Sequence, residues 1–348
     1  MDNLDSFRMG SAPVLGVCGW SGAGKTTLIE SIVTHQAAMG RKICVVKHDV
    51  HGLQLDREGK DSFRFFGAGA DVMMANQHER FFRSHCGEVL SLERTIQLLA
   101  PWYDGFLIEG HKVSRLPHKI WLLHPDKSEI PQVEHGFHTV LGRDENRFEK
   151  VLEIFESMLH KNCHSETVFG GVLIGGQSRR FGAAKHLMKT GDTTWIESIV
   201  SALRCHVDQV VLIGTGDVPS SLQSLPRLAD VPDSAGPAAG MRSAFRWHPS
   251  CSWVMTPCDV PYLKGDAVKW LLHQRAVGTD AVLPKLQADS PVEPLPAYYN
   301  FRCGPLFETI DSPRRVVDIA RVSSPVPPAD LIDSWRNINT ASEFSADS

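Results

Sequence analysis

Residues 14–38, VLGVCGWSGAGKTTLIESIVTHQAA, run from an apolar segment through a glycine-rich turn into a stretch with helical spacing. Val14 to Gly19 has the length of a buried strand, and Leu28, Ile29, Ile32 and Val33 recur as one face of a helix. Strand, glycines, then helix is the opening of an α/β unit. Further strands are expected at Lys42–Val46, Gly105–Gly110 and Lys119–Leu123. Glu145 to Lys161 reads as an amphipathic helix with Phe148, Val151, Leu152, Phe155 and Leu159 on one side.

The grammar restarts at Val168. VFGGVLIGG is a strand entering glycines, TTWIESIVSALRC a helix and QVVLIG a strand; GPAAGMRSAFRW reads as a helix, SWVMTPCD and AVLPKL as strands. Polar KNCHSET separates the two halves. The expected organisation is therefore α/β throughout: a polar, flexible tail over 1–12, one domain over 13–161, a linker over 162–167 and a second domain over 168–348. Alternating strands and helices predict mainly parallel sheets in both domains.

Bulk properties narrow the function classes. The 348 residues are 42% hydrophobic and 22% charged, as in a globular protein, and carry a formal charge of −4. That balance gives no support to a nucleic-acid or polyanion partner, although it leaves room for a local basic patch. No run approaches the ~18 apolar residues of a membrane span, and the first ten residues lack the apolar core of a signal peptide. The eight cysteines are scattered without a C-x-x-C pair. A reducing, cytoplasmic setting is expected, with no nucleic-acid or membrane partner.

Gly19-Trp20-Ser21-Gly22-Ala23-Gly24-Lys25-Thr26 fits the phosphate-loop pattern G-x-x-x-x-G-K-[ST]. Glycines allow backbone N–H groups to converge on phosphate oxygens, and the helix start adds a favourable field. Gly19, Gly22, Gly24, Lys25, Thr26 and Thr27 are thus candidate nucleotide contacts, with Lys25 on the β/γ-phosphates and the Thr26 hydroxyl on Mg2+. Asp104 and Glu109 flank the strand GFLI; Glu109, at its carboxyl end, is the better partner for a hydrated Mg2+, and Asp49 is another candidate. His48, Asp49 and His51 form a polar group that also admits a plain loop reading.

The blocks GWSGAGKTTLIE, KHDVHGLQLDREGKDSFRFFGAGAD and YDGFLIEGHK together resemble MobB-type adaptor proteins of molybdopterin-guanine dinucleotide synthesis over residues 13–160. The specific part is the middle block leading to Asp56, Lys60, Asp61 and Ser62. The resemblance implies a P-loop NTPase-like domain that binds GTP, hydrolyses it weakly and pairs as a homodimer.

The second loop, Leu173 to Lys185, is not a phosphate loop of that pattern. Gly175 and Gly176 allow close backbone approach, while Ser178, Arg179, Arg180 and Lys185 supply donors and positive charge suited to a triphosphate losing pyrophosphate. Asp259 follows an apolar strand at the end where open parallel sheets bind ligands, and an acid there suits Mg2+ beside an α-phosphate. Asp233 precedes a glycine–proline helix entry and reads as a ligand contact or a turn residue. The residues alone admit another nucleotidyltransferase, using CTP or a sugar phosphate, or a non-catalytic GTP-dependent scaffold.

The loop, the Asp233 block, PCDVPYL, EPLPAYY and the late Asn337-Ile338-Asn339-Thr340 resemble the molybdenum cofactor guanylyltransferase family, in order from Val168 to Glu343. The resemblance implies a Rossmann-like nucleotidyltransferase domain. In it Leu173, Gly175, Gly176, Lys185, Asp233 and Asp259 would contact GTP, with Arg180, Lys185 and Asp259 catalytic, Asp259 on Mg2+, and Asn337 and Asn339 on the pterin side. The implied reaction joins GTP to molybdopterin, or its molybdenum form, and releases pyrophosphate; the implied recipients are molybdoenzyme maturation proteins. The EPLPAYY block departs from the family at Glu293, an acid that would repel a phosphorylated pterin if it faced the site.

Overall fold

The computed structural model describes residues 12–47, 56–85, 91–127, 129–174, 185–232 and 236–338. The chain forms two compact units, Met1–Phe155 and Glu156–Ser348.

In the first unit β1 (Val14–Gly19) leads into α1 (Lys25–Ala38) and β2 (Ile43–Lys47). Then come α2 (Asp61–Gly67), the hairpin β3 (Val72–Ala75) and β4 (Arg80–Arg83), and α3 (Leu92–Leu99). Strands β5 (Gly105–Glu109), β6 (His118–Leu122) and β7 (Thr139–Leu141) precede α4 (Arg147–Ser165). The main sheet has the order β2-β5-β1-β6-β7 with every pairing parallel. β1 lies at its centre, which explains its unbroken apolar run: both faces of a parallel sheet are covered. Its buried residues pack with Phe106 to Ile108 and Ile120 to Leu122, also buried.

Strands at the predicted places form, and the structure adds elements that local pattern does not announce. The β3–β4 hairpin turns on Asn76, whose Oδ1 accepts N–H groups of His78 and Glu79. Ser91 caps α3 by accepting the Arg94 N–H at 3.1 Å. Helix α4 passes the expected stop at Lys161 and ends at Ser165, because KNCHS holds no glycine or proline to break it. Most of the stretch read as a linker is thus helix.

β6 carries a fully buried lysine. Lys119 Nζ donates to the carbonyls of Lys112, at 3.0 Å, and of His135, so its charge is met by backbone oxygens. Burial pulls its pKa below the usual lysine range, an effect that Cys18 opposes.

The second unit, which starts within α4, continues with β8 (Val168–Leu173), the small ribbon β9 (Lys189–Thr190) and β10 (Thr193–Thr194), α5 (Trp195–Arg204), β11 (Gln209–Ile213) and β12 (Arg227–Leu228). It continues through α6 (Pro237–Trp247), β13 (Ser252–Pro257), α7 (Gly265–His273), β14 (Ala281–Val282), β15 (Ala297–Tyr299), α8 (Gly304–Phe307) and β16 (Val322–Ser323). The seven-stranded sheet runs β12-β11-β8-β13-β15-β14-β16, and β15 alone opposes its neighbours. The expected mainly parallel sheet is therefore present, with one reversed strand from the EPLPAYY block.

Alternation along the strands feeds two cores. Val172 and Val254 pack with Ile196, Ile199, Leu203, Val268 and Leu271 of α5 and α7. Phe169 and Trp253 pack on the other face with Met241, Phe245 and Phe307 of α6 and α8. Gly240 lets α6 approach closely, since a Cβ there would meet Leu173 Cδ2 at 2.8 Å.

α5 opens with a capping box: the Thr194 hydroxyl accepts the Glu197 N–H, and the Glu197 carboxylate accepts the Thr194 N–H. Hydrogen bonds from Ser221 and Thr194 hold the Glu197 carboxyl at about 2, below its ordinary 4.5. A depressed carboxyl stabilises the fold above the unfolded value, and that stability is lost as pH falls through the folded one. The melting-temperature gap between wild type and Glu197→Gln is therefore expected to be widest at neutral pH and to narrow below roughly pH 4.5. A gap that stays constant on acidification would rule out the charged cap.

Candidate functional site

In the first unit the glycine loop leaves the carboxyl end of the central strand. Gly22 and Gly24 have φ of +80° and +87°, a left-handed backbone natural to glycine, and Gly24 is the N-cap residue immediately before α1. Lys25 Nζ donates to the Trp20 carbonyl at 3.0 Å, which folds the lysine over its own loop. Thr26 Oγ1 donates to Glu109 Oε1 at 3.1 Å, so the paired sequence candidates meet. Glu109 ends β5, opposite Val17 of β1. Thr27 sits in the first turn of α1, its carbonyl accepting Ser31 Oγ at 2.9 Å.

Asp104 does not join them. It lies just before β5, buried, with Oδ2 accepting the Lys42 N–H at 2.8 Å. It ties two strand starts together, at the sheet end opposite Glu109. Asp49, with His48 and His51, lies outside the described residues. Among those described, no group of three His, Cys, Asp or Glu is placed to hold a metal ion.

In the second unit three distant segments converge beyond β8 and β13. Lys185 Nζ lies 3.5 Å from Asp259 Oδ2 and donates to the Ile338 carbonyl at 3.2 Å. The Ile338 N–H donates back to the Asp259 carbonyl at 2.9 Å. Strand β13 ends at Pro257, two residues before Asp259, and Leu173 ends the adjacent β8, paired with Pro257. The Lys185 and Asp259 side chains are 16% and 22% exposed, open enough to reach a ligand yet held in place. Asn337 is exposed beside buried Ile338. Gly175, Gly176, Arg180, Asp233 and Asn339 lie outside the described residues.

The same end of the sheet holds features the sequence reading passed over. Asp230, exposed and two residues beyond β12, has its carboxyl raised by partial desolvation, and its Oδ1 lies 3.2 Å from where a Cβ on Gly240 would stand. Buried His186 hydrogen-bonds through Nε2 to the Asp217 carbonyl at 2.7 Å, fixing the loop after β11. A glycine–threonine–glycine run at 214–216 was the available signal. Glu293, by contrast, was singled out from the sequence; it is partly buried, its N–H donating to the Pro284 carbonyl at 2.7 Å. Burial raises its carboxyl, and Arg314 works the other way.

The fold, with the glycine loop of the first unit, defines a P-loop NTPase-like unit followed by a Rossmann-like, nucleotidyltransferase-type unit. Residues 14–140 match the family model for molybdopterin guanine dinucleotide synthesis protein B, and residues 170–325 match that of the MobA-like NTP transferase domain. The molybdopterin-guanine dinucleotide biosynthesis adapter protein of Haemophilus influenzae is 30% identical over 44% of this chain and 93% of its own length. A "probable molybdenum cofactor guanylyltransferase" of Bacillus mycoides is 32% identical over 38% of this chain and 68% of its own. Among solved structures, molybdopterin-guanine dinucleotide biosynthesis protein A of Archaeoglobus fulgidus aligns at 24% identity over 51% of this chain and 95% of that one, with a TM-score of 0.44. The chain belongs to the MobB adapter family in its N-terminal part and to the MobA-like molybdenum cofactor guanylyltransferase family in its C-terminal part.

Proposed function

We propose that the second unit transfers GMP from GTP to molybdopterin, or to its molybdenum form, and that the first binds GTP and assists. The observation that carries this is the meeting of Lys185, Asp259 and the Ile338 backbone at the carboxyl ends of β8 and β13. A phosphate oxygen of the pterin attacks the α-phosphorus of GTP; the bond from that phosphorus to the bridging oxygen breaks, and pyrophosphate leaves.

Lys185 carries positive charge to the oxygens that gain negative charge in that step. The Asp259 carboxylate is a hard oxygen donor with room for a ligand, which fits Mg2+. Bound there, Mg2+ would supply charge neutralisation at the α-phosphate. Leu173, Gly175, Gly176, Arg180 and Asp233 complete the proposed nucleotide site, and Asn337 and Asn339 the pterin side. In the first unit, Thr26 and Glu109 present two oxygens 3.1 Å apart, a second donor set that fits a hydrated Mg2+. GTP turnover there is proposed to be weak.

The proposed setting is the cytoplasm, with molybdoenzyme maturation proteins receiving the product. No described helix is long and apolar enough to cross a membrane. Exposed Phe65, Met73 and Phe82 around the β3–β4 hairpin support a homodimer formed through the first unit. The test of the function is incubation of the full chain with α-labelled GTP, Mg2+ and molybdopterin. Labelled pterin dinucleotide and free pyrophosphate are expected, and excess CTP should not compete. Absence of product, or equal use of CTP, would overturn the reading.

A further inference from the structure

Arg147 opens helix α4, where a cation opposes the helix dipole. Burial adds to the cost by disfavouring its charged form. The return is visible in its partners, all of them backbone carbonyls. Nε donates to Gly142 at 2.7 Å, Nη1 to Ala23 at 2.9 Å, and Nη2 to Leu123 at 2.7 Å and Leu141 at 3.4 Å. One planar guanidinium thereby joins the glycine loop to the ends of β6 and β7.

The bond to Ala23 has a directional consequence. A trans peptide points its C=O and its N–H to opposite sides. Fixing the Ala23 carbonyl on Arg147 therefore turns the Gly24 N–H the other way, off the guanidinium side. That amide belongs to the loop whose N–H groups are suited to phosphate oxygens. Ala23 is buried, and its own N–H, on the preceding peptide, is engaged by the Trp20 carbonyl, so both peptides flanking its Cα are hydrogen-bonded.

We propose that Arg147 is a positioning residue of the N-terminal nucleotide site: it acts on phosphate affinity through the Ala23–Gly24 peptide without touching the ligand. The assignment rests on the proposed GTP binding by the first unit. An ammonium cannot reproduce the planar fork over several carbonyls, so lysine is a partial substitute.

The test uses the full chain and a non-hydrolysable GTP analogue with Mg2+, titrated by calorimetry. Arg147→Ala is expected to weaken the N-terminal site by about 10-fold or more, the scale of a charge-assisted hydrogen bond, and Arg147→Lys to fall between it and wild type. Millimolar ethylguanidinium should restore much of the affinity of Arg147→Ala and do nothing for Lys25→Ala. Affinity within twofold of wild type in Arg147→Ala would overturn the assignment. So would a loss that neither ethylguanidinium nor Arg147→Lys repairs, because that marks a general structural role. If Arg147→Ala does not fold, Arg147→Lys decides: unchanged affinity with a lowered melting temperature overturns the assignment, and weakened affinity at an unchanged melting temperature supports it. If Lys25→Ala binds like wild type, the reading of the N-terminal site itself falls, and this assignment with it.

Discussion

Replacement of Asp259 by alanine is expected to lower GMP transfer by about 10^2- to 10^3-fold, the scale of losing one electrostatic contact to a developing charge. Two losses coincide. The proposed site gives up its oxygen donor for Mg2+, and Lys185 loses the carboxylate that holds its amine 3.5 Å away. The fold should survive, because the Lys185 amine keeps its hydrogen bond to the Ile338 carbonyl and is not left unpaired. The backbone link from Ile338 to Asp259 does not depend on the side chain and remains. Asp259→Asn separates the roles: it keeps size and polarity but not charge, so it should be nearly as inactive as alanine. The measurement is initial rate of pyrophosphate release against Mg2+ concentration. Near-normal rates with Asp259→Asn would show that charge at this position is not used.

Lys25→Ala is expected to remove one of the two proposed GTP sites and leave the other intact. A lysine on terminal phosphates is worth about 1.5–3 kcal/mol, or roughly 10- to 100-fold in affinity. In the free loop its amine rests on the Trp20 carbonyl, so binding exchanges one backbone contact for phosphate oxygens. A full-chain titration with a non-hydrolysable analogue should fall from two equivalents to one at concentrations that saturate wild type. The residual equivalent should persist in Lys25→Ala and support GMP transfer in the catalytic assay. Two undiminished equivalents would remove the glycine loop from the list of nucleotide sites.

The first loop was legible because its chemistry is local: glycines, lysine and threonine are contiguous, and a strand and helix flank them. Glu109 was legible for a related reason, since a carboxyl strand end is where such sheets present ligands. Asp104 and Glu109 bracket one strand symmetrically, and only strand direction separates the buried tie from the open acid. The second site was legible in part. Asp259 announced itself after β13, but the Ile338 carbonyl that braces Lys185 is backbone, and no residue type encodes it. Arg147 looked like one more polar residue of an amphipathic helix, because the carbonyls its guanidinium serves are backbone and no residue type encodes them. The β3–β4 hairpin escaped because four-residue strands carry too little periodicity to stand out. Asp230 and Asp233 share the run ADVPD, and local pattern does not rank them.

The amine of Lys119, sealed within the first unit and held by two carbonyls, has a practical use. Acylating reagents need an exposed, neutral amine, and this one is screened from solvent while the fold is closed. Lys119 should therefore stay unmodified when surface lysines are exhausted, and react only when β6 parts from the segment around His135. Its labelling rate, followed by peptide mass, would time the opening of that unit without a foreign probe, and added nucleotide should slow it if the loop and its strand breathe together.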